Sequence, residues 1–238
     1  MKMSVCIPMY NESSIIADCA KVLHEYMSAN FEKFEIIFSD DGSRDGSADI
    51  VRALELPGVR VVGYEQNRGK GCAVRTAMMA AEGDVVMFTD ADLAYGTEVI
   101  GRAAAEFEKC SDAQLVIGSR NISADGYEGY TFFRKLASKV YIKVLCMVGG
   151  FKLSDSQCGC KAFRREAAKN IFSRAEVDGF AFDFEALLWA SKLGYTIREM
   201  PVKVINHRES KVNVFSDAPK MLRDLSKMKK RIKRTSID

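Results

Sequence analysis

The chain has 238 residues, 47% of them hydrophobic, which is enough to bury a core as one domain or one domain with an appendage. Its net charge is only +3, but six of the eight residues from Lys227 to Arg234 are basic, and that asymmetry fits an anionic partner surface. Seven scattered cysteines without a Cys-x-x-Cys pair weigh against zinc and thioredoxin-type sites and fit free thiols in a reducing cytoplasm. No apolar run reaches the ~18 residues of a membrane span, and the first strand begins too early to leave room for a signal peptide.

Ser4–Pro8 reads as the first strand. A helix follows from about Ser13 to Ala29, with Ser13 or Ser14 as N-cap. Strands are expected at Glu35–Ser39, Val59–Gly63 and Val85–Thr89, with helices over 47–54 and 70–81 between them. Strands alternating with helices predict an α/β fold, a mostly parallel sheet flanked by helices on both faces. Ligands of such sheets lie at the carboxyl ends of the strands. Tyr10-Asn11-Glu12, Asp40-Asp41, Asn67–Gly71 and Asp90–Asp92 all fall at those ends. Asp90 and Asp92, two residues apart beyond an apolar strand, are expected on one side of it. Crowded carboxylates repel, and a divalent cation removes that cost; oxygen ligands suit Mg²⁺ or Mn²⁺, which usually holds a diphosphate.

After a strand at Leu115–Ser119 the pattern changes. Residues 121–130 read as loop, 132–148 as a helix with Phe133, Ala137, Val140, Val144 and Val148 on one stripe, and 154–162 as irregular. Helices are expected over 165–173 and 183–193, a strand over 196–204, and a last amphipathic helix over 219–233. The whole is read as a single domain, 1–238, with a nucleotide-binding half (1–120) and an acceptor-binding half carrying the membrane-facing helices (121–238).

Cys6–Glu12, Asp40–Gly46, Asn67–Gly71, Asp90–Leu93, Gly118–Arg120, Asp155–Phe163, Phe182–Glu185 and Glu209–Val212, in this order, resemble the family 2 glycosyltransferases of the Rossmann-like GT-A fold. Within that family the chain is similar to the dolichyl- or polyprenyl-phosphate sugar synthases, which join a sugar from a nucleotide donor to a lipid phosphate with inversion. The resemblance implies that Pro8, Tyr10 and Glu12 line the base and ribose pocket, that Asp41, with Asp40, accepts hydrogen bonds from the base or ribose, and that Ala91 adjoins the donor. Lys70 then offsets diphosphate charge, and its glycine-rich loop approaches the ligand closely. Asp92 is the leading metal ligand and Asp90 serves ribose and metal, with His207 or water as the third ligand. Mannosyl-type relatives carry glutamine at the position of Ala94, glucosyl-type relatives alanine, so UDP-glucose is the preferred donor and GDP-mannose the alternative.

The same resemblance places the acceptor phosphate at Arg120, Arg134 and Ser138, with Arg208 and Lys211 in the late matching segment. Arginine suits the role because its fork pairs two oxygens. Asp155, Asp183 and Glu185 are expected to orient sugar hydroxyls or these arginines; in members with hydroxyl acceptors the Asp183–Glu185 region supplies a base. The basic end and the 132–148 helix fit an anionic membrane surface on the cytoplasmic side, reached peripherally or through a membrane-protein partner or homo-oligomer. Nucleic acid is disfavoured, because the basic segment is short and lacks aromatics for stacking. A sugar-nucleotide pyrophosphorylase is disfavoured as well, since Pro8–Glu12 stands where its glycine-rich loop would be.

Overall fold

A computed structural model describes residues 1–123, 126, 139–140, 142–144, 146–147, 149–150, 152–206 and 225–236. Arg134, Ser138, His207, Arg208 and Lys211 lie outside the described residues. Among the described residues seven strands form one sheet: β1 (Met3–Met9), β2 (Phe34–Asp41), β3 (Val59–Tyr64), β4 (Val85–Phe88), β5 (Leu115–Ser119), β6 (Lys161–Arg164) and β7 (Ile197–Pro201). Their order is β3-β2-β1-β4-β6-β5-β7, and only β6 runs against the rest.

Alternation along the strands divides the core in two. On β1, Met3, Val5, Ile7 and Met9 face one layer, while Cys6 faces the other. The first layer is closed by α1 (Ile16–Asn30), α2 (Ser47–Ala53) and α4 (Glu98–Lys109). The second is closed by α3 (Lys70–Ala80), α5 (Arg165–Phe172), α6 (Phe182–Lys192) and the C-terminal helical residues 225–234. Both faces are therefore covered, as a parallel sheet requires.

Several details differ from the sequence reading. Helix α1 starts at Ile16, with Ile15 at the N-cap position and no side-chain cap, while the Ser13 N–H donates to Asp45 Oδ2. Helix α4 fills a stretch given no element above; its buried Val99, Ile100, Ala103, Ala104 and Phe107 follow helical spacing. Strand β6 emerges from the segment read as irregular. The helix in the 139–150 region buries Ile142, Cys146 and Gly149, whereas Val140 is 55% exposed. Its inward face is therefore rotated from the stripe expected through Val140. The apolar side of 225–234 is spent on the protein body, with Leu225, Met228 and Ile232 buried in the second core layer. Only its cationic side is left for a membrane, which corrects the idea that this helix sinks an apolar stripe into lipid. No helix among the described residues is long and apolar enough to cross a membrane.

Candidate active site at the carboxyl rim of the sheet

The strand order reverses direction between β1 and β4, and in open α/β sheets the crevice at such a point receives ligands. The ends of β1, β2, β4 and β5 lie on that rim. The antiparallel β6 begins there, with Lys161 beside Phe88 of β4 and Ile117 of β5.

Beyond β4 the chain turns at once. The Leu93 N–H donates to the Asp90 carbonyl, and Leu93 takes φ 48°. Asp90 and Asp92 thus share a turn; strand alternation does not place them. Asp92 Oδ1 accepts the Ala94 N–H at 3.1 Å, and Asn206 Nδ2 donates to the Asp92 carbonyl. Asp90 Oδ1 meets Lys70 Nζ at 2.5 Å. Burial works against the Lys70 ammonium, but Asp90, with Asp183 and Asp92 further off, outweighs it and holds the pKa above the usual lysine value.

The donor set fits a hard divalent cation. Asp90 and Asp92 offer carboxylate oxygens from one turn. Glycine at 159 keeps the other side of Asp90 open, since a Cβ there would stand 2.5 Å from Asp90 Oδ2. Among the described residues no third His, Cys, Asp or Glu gathers with this pair. Mg²⁺-like ions commonly use one or two carboxylates and complete their shell with substrate phosphates and water.

Lys161 is the functional candidate that sequence reading missed. It has no exposed surface, and its Nζ donates to Asp183 Oδ1 and the Cys158 carbonyl, each at 2.7 Å. Burial pushes the Asp183 carboxyl up; Lys161 and Lys70 pull it back, leaving it above the ordinary value. Lys161, Asp183, Lys70 and Asp90 thereby form a line of alternating charge behind the acidic turn. A lysine in a short strand reads as exposed, so only its place in the motif Asp155–Phe163 signalled it.

Arg120 follows β5 and forks onto Asp155, with Nε to Oδ2 at 2.7 Å and Nη2 to Oδ1 at 3.0 Å. Asp155 is wholly buried, and the Gln157 N–H completes its hold. The structure therefore brings Arg120 and Asp155 together, with Asp155 orienting the arginine. Glu199, also unforeseen, accepts from the Ser154 N–H, the Ser154 hydroxyl and the Asp155 N–H and fixes that segment.

Three expectations are corrected. Both oxygens of Asp41 are taken by the Tyr64 hydroxyl, Asn67 Nδ2 and the N–H groups of Arg68 and Gly69. A carboxylate has about four acceptor sites, so Asp41 fastens the 64–69 loop instead of meeting base or ribose. Glu185 is fully buried, accepts the Glu176 and Val177 N–H groups and pairs with Arg231. It ties the C-terminal helical residues to the body and offers no oxygen to a sugar. The glycine-rich loop packs on protein: the Asp178 carbonyl accepts the Gly71 and Cys72 N–H groups at the start of α3. A Cβ at Gly71 would lie 2.4 Å from the Val177 carbonyl oxygen and 2.7 Å from Phe182 Cβ. Gly71→Ala is accordingly expected to destabilise the chain by about 1–3 kcal/mol, read as a lower urea midpoint at unchanged slope.

The β1–α1 turn is also built. Asn11, at φ 53°, donates its N–H to Ser43 Oγ and accepts the Arg44 N–H on Oδ1, and the Glu12 N–H donates to Ser47 Oγ. Tyr10 stays 39% exposed beside it, and Asp40 accepts the Ser43 N–H. Pro8 precedes them on β1, and Ala91 is buried within the acidic turn.

A sheet of this order, with one reversed strand and an acidic turn at the switch point, is the GT-A architecture of glycosyltransferases. The chain belongs to glycosyl transferase family 2, whose pattern matches residues 4–172. It is 31% identical to a dolichyl-phosphate beta-glucosyltransferase of Dictyostelium discoideum over 95% of this chain and 73% of that one. A human dolichyl-phosphate beta-glucosyltransferase is 28% identical over 94% of this chain and 74% of its own length. Among solved structures, mannosyl-3-phosphoglycerate synthase of Rubrobacter xylanophilus aligns at a TM-score of 0.74 and 17% identity, covering 100% of this chain and 77% of that one. Glucosyl-3-phosphoglycerate synthase of Mycobacterium tuberculosis, with Mn²⁺, UDP and glucosyl-3-phosphoglycerate, aligns at 0.72 and 21% identity, covering 97% and 79%. The chain is a glycosyltransferase.

Proposed function

We propose that this enzyme transfers glucose from UDP-glucose to a polyprenyl or dolichyl phosphate, with inversion and with a divalent cation. The observation that carries the reading is the acidic turn Asp90–Asp92, facing Lys70 at the switch point, in a chain this similar to dolichyl-phosphate beta-glucosyltransferases. The acceptor phosphate oxygen attacks the anomeric carbon in line, a new C–O bond forms, and the bond to UDP breaks with its electron pair leaving on the diphosphate. A phosphomonoester has a second pKa near ~6, so this oxygen is anionic at neutral pH and no strong general base is needed. Asp90 and Asp92 would hold Mg²⁺ or Mn²⁺, which would supply charge neutralisation to the departing diphosphate. Lys70, held by its ion pair with Asp90, adds a fixed cation at the same place. Pro8, Tyr10, Glu12 and Asp40 border the nucleotide. Arg120, oriented by Asp155, holds the acceptor phosphate, and the resemblance adds Arg134, Ser138, Arg208 and Lys211. Ala94 in place of glutamine favours glucose over mannose.

Two experiments test this. Transfer to farnesyl phosphate is measured with UDP-glucose, GDP-mannose and UDP-galactose. UDP-glucose is expected to give the highest kcat/KM; preference for GDP-mannose would establish the mannosyl alternative, and transfer to 3-phosphoglycerate alone would overturn the lipid acceptor. The second concerns location at the cytoplasmic face of a membrane. Lys227, Lys229, Lys230, Lys233 and Arg234 are exposed on the C-terminal helical residues. Each cation near an anionic bilayer contributes ~1 kcal/mol, screened by salt. Changing these five to glutamine is expected to abolish co-sedimentation with phosphatidylserine vesicles at low salt. Equal sedimentation of both forms would remove the segment from the membrane contact.

A further inference from the structure

Helix α3 begins at Lys70, and the glycines on either side of this lysine are pressed against the segment 177–179. A Cβ at Gly69, which has φ 113°, would stand 2.5 Å from the Asp178 carbonyl oxygen, and one at Gly71 would stand 2.8 Å from that of Gly179. Glycine alone lets two backbones approach so closely. The Asp178 carbonyl accepts the Gly71 N–H at 2.7 Å and the Cys72 N–H at 3.2 Å. Its carboxylate spans the same helix start: Arg75 Nη2 donates to Oδ1 at 2.5 Å and Arg68 Nη2 to Oδ2 at 3.4 Å. One residue, more than a hundred positions downstream, thus holds the chain on both sides of Lys70.

The clamp is firm at both ends. Burial works against the Arg75 guanidinium, but Asp178 outweighs it and holds the pKa above the usual arginine value. The preceding residues are backed from behind, where buried Glu185 accepts the Glu176 and Val177 N–H groups. The clamp also changes what α3 can offer a ligand. The first N–H groups of a helix commonly receive phosphate. Here the Gly71 and Cys72 N–H groups end on the Asp178 carbonyl, so the charge that this helix start brings to the crevice is the Lys70 ammonium, 2.5 Å from Asp90 Oδ1. A helical side chain leaves its backbone in a direction set by that turn. Whatever fixes residues 69–72 therefore fixes where the ammonium lies.

We propose that Asp178 is the positioning residue for Lys70, locking the start of α3 so that the ammonium faces the donor diphosphate beside Asp90. The inference rests on the diphosphate role proposed for Lys70 and adds the residue that makes this cation effective. Asp178 acts through Lys70 and not on the donor itself.

The test is calorimetric titration of the full chain with UDP in the presence of Mn²⁺, with uridine measured by displacement of UDP, run beside the transfer assay. Asp178→Ala is expected to weaken UDP binding about tenfold, the effect of losing one hydrogen bond to a charged group. Uridine affinity should not change, since uridine carries no phosphate for Lys70. Asp178→Glu, which keeps a carboxylate for the two arginines, should recover most of the UDP affinity. Asp178→Asn, which keeps the shape and loses the charge, should show a smaller loss of the same kind, and it carries the test if the alanine variant does not fold. In a Lys70→Ala background Asp178→Ala should weaken UDP binding no further, because a residue acting through Lys70 then has nothing to act on. Additive losses in that background would overturn the proposal. So would equal losses of UDP and uridine affinity, since Asp178 would then be supporting the fold in general. Unchanged UDP affinity in both Asp178 variants, with a loss in Lys70→Ala, would overturn it and leave the role of Lys70 standing; unchanged affinity in Lys70→Ala would overturn both. If the Asp178 variants lose UDP selectively while wild-type protein transfers no glucose to farnesyl phosphate, the clamp stands and the proposed reaction fails.

Discussion

Replacing Asp92 by alanine is expected to abolish metal-dependent UDP binding and to reduce transfer by roughly 10²–10³, the scale of removing one charge-stabilising group at a reacting centre. The reason is local. Asp92 and Asp90 share one turn, and Lys70 already sits on Asp90 Oδ1. Without Asp92, Asp90 keeps a lysine partner and a cation loses half of its protein carboxylates. The check is titration of UDP with and without Mn²⁺, together with kcat against metal concentration. Wild-type turnover in the variant would refute the metal assignment. Asp92→Ala should melt within about 0.5 kcal/mol of wild type, because Asp92 is partly exposed and lies in a turn at the rim of the sheet.

Cutting the Arg120–Asp155 pair has the opposite signature. Asp155 is wholly buried, and Arg120 forks both of its oxygens. Removing one partner of a buried pair leaves a charge without compensation and costs about 3–5 kcal/mol. Asp155→Ala is therefore expected to lower stability by that amount, seen in urea unfolding, and to lose transfer activity even where the fold persists. Arg120→Met should be destabilising as well. The double variant should be less unstable than the two singles summed, and that positive coupling identifies the pair as a unit. Strict additivity would show that Arg120 and Asp155 act separately. Reading KM for the acceptor against KM for UDP-glucose separates an acceptor role from a general loss, since only the acceptor KM should rise in Arg120→Lys, which keeps the charge but not the fork.

Much of the architecture was legible in the chain because it is written in local periodicity. Strands β1 to β4 alternate with helices whose spacing shows in ten or fifteen residues, and the polar clusters at their ends all reach one rim. Helix α4 was equally legible in principle, with apolar residues at 99, 100, 103, 104 and 107. Strand β6 was not. It has four residues, one of them lysine, and it follows Cys158-Gly159-Cys160, so no run of β-formers marks it. Its place between β4 and β5 comes from pairing with strands more than forty residues away in sequence.

The candidate site divides along the same line. A turn that holds Asp90 and Asp92 together is a property of five consecutive residues, so composition and spacing alone located it, whereas the Lys70–Asp90 ion pair joins residues twenty apart. Which carboxylates remain available to a ligand is decided by what else folds against them. Asp41 and Glu185 look as suitable as Asp90 in the sequence, yet distant backbone N–H groups and Arg231 consume their oxygens. Lys161 looks like a surface residue, yet it lies wholly buried against Asp183. The amino-acid order alone determined the layered α/β frame and the acidic rim, because both follow from short-range pattern. Only tertiary packing decided which charged groups are structural and which face the crevice, because buried charges must be paired and their partners lie far along the chain.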